Sequence, residues 1–133
     1  MDVPPERVMA VITDFARYPT FLSEMTEATV LRREANVWVV KFAVSVVRRL
    51  EYTLRLEQTS ATTLSWSLIE GAFKANRGGW TLAPLDEGRR THATYEVELE
   101  IGMFVPGSVM KTILGKSLPA TMASFKTESE RPR

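Results

Sequence analysis

The sequence predicts an α+β domain. A curved antiparallel sheet of about six strands packs on one long C-terminal helix, and two short helices open the chain. Three observations carry this. Between Thr26 and Ile101, apolar residues recur at every second position in segments separated by hairpin-length turns, the period of half-buried antiparallel strands. From Pro106 to Glu130 the period becomes four: Met110, Leu114, Leu118 and Met122 form one row, with Ile113 and Phe125 beside it. Residues four apart share a helix face, and an apolar stripe must be buried against something. No strand–helix–strand alternation occurs, which excludes Rossmann and barrel folds.

Each element follows from local signals. Val3-Pro4-Pro5-Glu6-Arg7 opens a helix, since proline fits the first helical turn. Val8, Val11, Ile12 and Phe15 carry it to about Phe15. Tyr18-Pro19 ends it, because a residue before proline is pushed out of the helical region. Thr20 to Met25 reads as a second short helix with Thr20 as its cap. Thr26–Glu34 and Val37–Val47 are strands around an Ala35-Asn36 turn, and Arg48-Arg49 marks a corner. Leu50, Tyr52, Leu54 and Leu56 alternate with polar residues, as do Leu64, Trp66 and Leu68 after a Ser60-Ala61-Thr62 turn. Lys74 to Pro84 is a strand containing Gly78-Gly79, a pair that marks a bulge, a bend or close approach by another backbone. Asp86-Glu87-Gly88 turns. Ala93 to Ile101 is the last strand, ended by Gly102. Ser108 is expected to cap the long helix, and Gly115 with Pro119 predicts a kink in it.

The 133 residues fit a single domain spanning 1–133, with 131–133 expected to fray. Seventeen basic and sixteen acidic residues leave a net charge of +1, so neither DNA nor an anionic membrane is an expected partner. There is no cysteine and a single histidine, His92. This excludes disulfides, thiol catalysis and multi-histidine metal sites, and no cofactor is expected. No apolar run approaches the roughly 20 residues that span a bilayer. The first residues lack a basic stretch followed by an apolar core, so no signal peptide is expected and a cytoplasmic location is the default.

The candidate site is an aromatic-lined space between sheet and helix. Alternation puts Trp38 and Phe42 on one strand face, and Tyr52, Trp66, Trp80 and Tyr95 on faces pointing the same way. Such a set suits a flat or greasy ligand, although plain core packing uses the same residues. Met110 and Leu114 supply the helix side. Asn76 shares a face with Trp80 and is the candidate polar contact, while Arg77 points away unless the double glycine shifts the register by one. Asp14 and Tyr18 read as local structure: an aspartate at a helix end bonds nearby backbone. His92 lies on the solvated face with Glu96, Glu98 and Glu100, which is a wet face before it is a metal site. Met103, Met110 and Met122 suit a pocket with varied contents and equally an ordinary core. Lys111, Lys116 and Lys126 form a sparse basic face on the helix.

The order of helix, strands and long helix resembles the START-like, helix-grip (SRPBCC) superfamily. Within it the chain resembles the polyketide cyclase/dehydrase group, which includes coenzyme-Q-binding proteins and ribosome-association toxins. The resemblance rests on Val3-Pro4-Pro5-Glu6-Arg7-Val8, Asp14 to Phe21, Asn76-Arg77-Gly78-Gly79-Trp80-Thr81-Leu82, Thr94-Tyr95-Glu96-Val97 and Leu118-Pro119. It implies a bacterial-type domain enclosing a cavity for a small hydrophobic or lipid-like molecule. Relatives usually begin with an edge strand ahead of the first helix, whereas only Met1 and Asp2 stand there in this sequence, so either that strand is absent or the sequence as given starts late. Loss of the strand predicts a neighbouring strand edge that is either covered or paired with a second copy. Two other functions stay open. A cyclase/dehydrase enzyme would need an ionisable pocket group, for which Tyr95, Lys41 and Arg77 are the suppliers. An interaction module, protein- or ribosome-directed, would use the basic helix face or the free edge.

Overall fold

The computed structural model describes residues 1–46, 48–101 and 107–132. Helix α1 (Pro5–Ile12) stops three residues earlier than its apolar spacing suggests. Phe15–Arg17 then forms one 3₁₀ turn and α2 spans Tyr18–Phe21. Thr20 is therefore inside the second helix rather than its cap, and its hydroxyl donates to the Arg17 carbonyl at 2.6 Å. Six strands follow: β1 (Met25–Glu34), β2 (Val37–Val46), β3 (Arg48–Ser60), β4 (Thr63–Gly71), β5 (Phe73–Leu85) and β6 (Arg90–Ile101). They pair in sequence order as an antiparallel meander. Arg48 pairs with Val46, so β3 starts alongside the end of β2 at the expected corner, and Val47, expected as the last residue of the second strand, lies outside the described residues.

The long helix runs as α3 (Gly107–Thr112), a π turn (Ile113–Ser117) and α4 (Leu118–Glu130). Ser108 lies inside α3, not ahead of it. The expected kink takes the form of this π turn. Pro119 has no N–H to donate, and in a regular helix its ring would press on the carbonyl of Gly115. Widening the turn before it accommodates both. The ends of the chain meet. Met1 and Thr91 exchange backbone hydrogen bonds, Asp2 donates to Glu130 at 2.7 Å, and Arg7 donates to the carbonyls of Ser129 and Arg131. Arg131 is thereby tied to α1. Beyond Thr91 the outer edge of β6 has no strand partner among the described residues.

The sheet forks. β4 and β5 pair only from Thr63–Thr81 to Ser67–Arg77. Beyond that, the end of β4 stays with β3 and the start of β5 stays with β6. Gly71, at φ 139°, closes against β3 so tightly that a Cβ there would fall 2.4 Å from the Tyr52 Cα, and only glycine tolerates both conditions. At the apex, Gly78 lies opposite Trp66, and a Cβ on it would meet the Glu96 carbonyl at 2.0 Å and the Trp66 ring at 2.9 Å. The close approach expected of the double glycine is thus made by β6 and by an aromatic ring.

Two apolar clusters fill the space between sheet and helices. One gathers Val8, Ile12, Phe15, Trp38, Phe42, Trp80 and Phe125. The other gathers Val46, Leu50, Phe73, Val109, Met110 and Ile113.

Candidate functional site

A cavity of about 160 Å³ lies along the seam between these clusters. An apolar cavity of about 150 Å³ holds one benzene, so the space matches a single ring. Phe42 and Tyr52 line it from β2 and β3, Trp66 from β4, Asn76 and Trp80 from β5, and Tyr95 from β6. The helix contributes Ile113, Ser117, Leu118, Thr121, Ser124 and Phe125. Ser23 and Ala120 are the exposed wall members, so the cavity reaches the surface between the α2–β1 turn and α4.

Three residues singled out by spacing lie elsewhere. Trp38 is buried, but its ring packs edge-on to Phe15 at 5.4 Å, outside the cavity wall. Alternation tells which face of a strand is inward, not which end of the sheet is hollow. Met110 is buried in the second cluster without reaching the wall. Leu114 is 54% exposed. The buried row on the helix is Val109, Ile113, Ser117, Phe125 and Ser129, with Thr121 half-buried in line. A four-residue spacing drifts by roughly 40° per step around a 3.6-residue turn, and the extra residue of the π turn resets that drift, so a row of this spacing stays buried along the helix. The row runs one position ahead of the expected one, and Leu114 falls on the solvent side. Met122 packs partly buried against the first cluster, and Met103 lies outside the described residues.

The polar groups of the wall are few and defined. Asn76 is 7% exposed. Its Oδ1 accepts from the Trp66 indole N–H at 3.1 Å. Indole only donates, so the amide nitrogen is the end left free. Asn76 is the first residue of β5 past the fork, where no β4 backbone faces it. The side-chain bond bridges that gap. A bulge between Phe73 and Ala75 lets Phe73 and Asn76, three apart, both face inward. Tyr52 and Tyr95 have no hydroxyl partner among the described residues. Burial pushes the Tyr95 phenol up to about 12 and the Tyr52 phenol higher still. Both are neutral donors at physiological pH. Tyr18 is also pushed well up, chiefly by burial, and its hydroxyl donates to the Ile12 carbonyl. That fixes it as structure rather than as partner of Asp14, whose carboxylate faces solvent.

Other candidates stay outside. Arg77 is on the outer face, paired with Glu98 at 2.8 Å. Lys41 is absent from the wall. His92 is exposed, and no cluster of metal-ligating side chains occurs among the described residues. Lys111, Lys116 and Lys126 are exposed, the last paired with Glu130. No helix among the described residues is long and apolar enough to cross a membrane. The wall residues that spacing did not flag include Phe73 and Met25 from the sheet and Ser117, Thr121 and Ser124 from the helix. A row of small hydroxyls at helical spacing was the available signal, and a search for apolar residues passes over it.

A family model described as polyketide cyclase/dehydrase and lipid transport matches residues 1–126. The ribosome association toxin RatA of Vibrio cholerae is 31% identical over 116 residues, covering 84% of this chain and 74% of the relative. Among solved structures, the Zhui aromatase/cyclase of a Streptomyces species superposes with a TM-score of 0.86 at 17% identity, covering 98% of this chain and 88% of that one. A START superfamily protein of Mycobacterium smegmatis gives 0.84 at 17% identity, with 98% and 92% covered. At those identities the likeness is one of fold.

Proposed function

The chain belongs to the polyketide cyclase/dehydrase and lipid transport family, and from that premise we propose that it binds a small hydrophobic molecule in the cavity under its last helix. The observation that carries the reading is the cavity itself. A sheet and helix with two well-filled clusters leave about 160 Å³ between them. Close packing tolerates few voids larger than a water molecule, and this one is walled mostly by apolar and aromatic side chains, with a few convergent polar groups. A carrier, chaperone or sensor role follows the same chemistry. An enzymatic role asks for a group that titrates near working pH, whereas the buried phenols are pushed away from it. Native mass spectrometry after mild purification is expected to show a retained apolar ligand. A protein that arrives empty and takes up no apolar ring compound overturns the reading.

A second reading is ribosome association, favoured by the 31% identity to a toxin of that name. It predicts salt-sensitive co-sedimentation with ribosomes, weakened by removing Lys111 and Lys116. Absence of the protein from the ribosome pellet at low salt would eliminate it.

A further inference from the structure

We propose that Ser117 and Asn76 form a two-point polar clamp across the cavity, and that it selects an uncharged single-ring ligand carrying one hydrogen-bonding oxygen. This rests on the cavity-binding reading and names its ligand class.

Ser117 is 7% exposed, and its hydroxyl has no partner among the described residues. A serine inside a helix ordinarily returns its hydroxyl to the carbonyl four residues back, which here is that of Ile113. In the π turn that carbonyl accepts from the Leu118 N–H, the Ser117 hydroxyl does not bond it, and Ser117 borders the cavity with its oxygen unused among the described residues. A buried, unpaired hydroxyl costs about 1–3 kcal/mol. Ser129, the other buried hydroxyl without a partner among the described residues, is not part of this wall. On the facing wall Asn76 has its carbonyl oxygen committed to Trp66, and its amide nitrogen makes no hydrogen bond among the described residues. One wall therefore offers a hydroxyl and the other an N–H donor. A ligand oxygen between them can accept from Asn76 while bonding Ser117 in either sense.

The same wall argues against charge. It holds no lysine, arginine or histidine among the described residues, and its one carboxylate, Glu24, is half-buried near the surface opening. A carboxylate or phosphate drawn inside would be desolvated with no cation to meet it.

Four ring compounds of one shape test this: ethylbenzene, 4-ethylphenol, 4-ethylbenzoate and 4-ethylbenzylammonium. Affinities are read by calorimetry or ligand-observed NMR, on the native protein and on Ser117→Ala. The phenol is expected to bind at least tenfold tighter than the charged pair, and about tenfold weaker to Ser117→Ala. Ethylbenzene affinity should be unchanged or raised by that substitution. Ser117→Ala should unfold at the same temperature or higher, since it removes an unpaired hydroxyl from a helix; a merely structural serine would lower it. Asn76→Asp, which keeps the acceptor for Trp66, should also weaken phenol binding. If ethylbenzene and the phenol bind and Ser117→Ala alters neither, the clamp is overturned and the cavity reading stands. If a charged probe binds tightest, the ligand class is overturned. If none of the four binds, both readings fall together.

Discussion

The two ends of the interior are built differently. Around Phe15, rings pack on rings: Tyr18 at 5.5 Å, Trp38 at 5.4 Å and Phe42 at 6.5 Å. α1 lies over them with Val8 and Ile12 fully buried. The Tyr18 hydroxyl, brought deep among these rings, is bonded to backbone. Toward the π turn, the sheet forks, the helix loses its regular ladder, glycine and proline interrupt it, and the Ser117 hydroxyl in the wall is left without a partner among the described residues. The fork and the π turn both supply residues to one cavity, Trp66 and Asn76 from the first, Ile113 and Ser117 from the second. Stability is concentrated in the first region, and the cost of unsatisfied groups and irregular backbone is carried in the second, which is where a bound molecule could offset it.

The largest expected effect tests the first half of that contrast. Phe15→Ala removes a ring that is 1% exposed and lies outside the cavity wall. It should lower stability by about 3–5 kcal/mol, a large share of the 5–15 kcal/mol typical of a domain. Chemical denaturation checks it. At temperatures where the variant is folded, 4-ethylphenol affinity should match that of the native protein. A loss of binding matching the loss of stability would mean that the two ends are not separate.

Much of this division was legible in the sequence. Alternation gave six strands and the inward sense of Phe42, Tyr52, Trp66, Trp80 and Tyr95, because a period of two leaves one choice of face once one face is buried. It also gave the inward sense of Asn76 and the outward sense of Arg77, since the bulge lies before them, at Lys74, rather than at the double glycine. The helix was less legible. Hydrophobicity marked Met110, Leu114, Leu118 and Met122 as the buried row, while the true row includes Ser117, Thr121 and Ser129. Two causes combine. A π turn shifts the helical phase without a residue pattern of its own, and a cavity wall admits hydroxyls that a packed core would refuse. The position of the hollow was also out of reach, because Trp38 and Tyr52 carry the same pattern and only their neighbours across the sheet distinguish them.

The smallest expected effect sharpens the second half. Gly115 sits at the centre of the π turn, and a Cβ added there would meet nothing within 4 Å. Its backbone is not in the left-handed region, so alanine can adopt the same conformation. If the turn is set by Pro119, Gly115→Ala leaves it in place. The substitution then stabilises by about 0.5–1 kcal/mol, by restricting the unfolded chain. In a domain of this size that raises the unfolding temperature by roughly 2–5 °C, readable by differential scanning calorimetry, with phenol affinity unchanged because Ser117 keeps its aim. If the glycine itself permits the turn, the helix regularises instead. The Ser117 hydroxyl then finds the Ile113 carbonyl, and stability rises while phenol affinity falls. Measuring both quantities on one variant therefore tells which residue holds the helix out of register, and whether that irregularity is what keeps the serine available to the cavity.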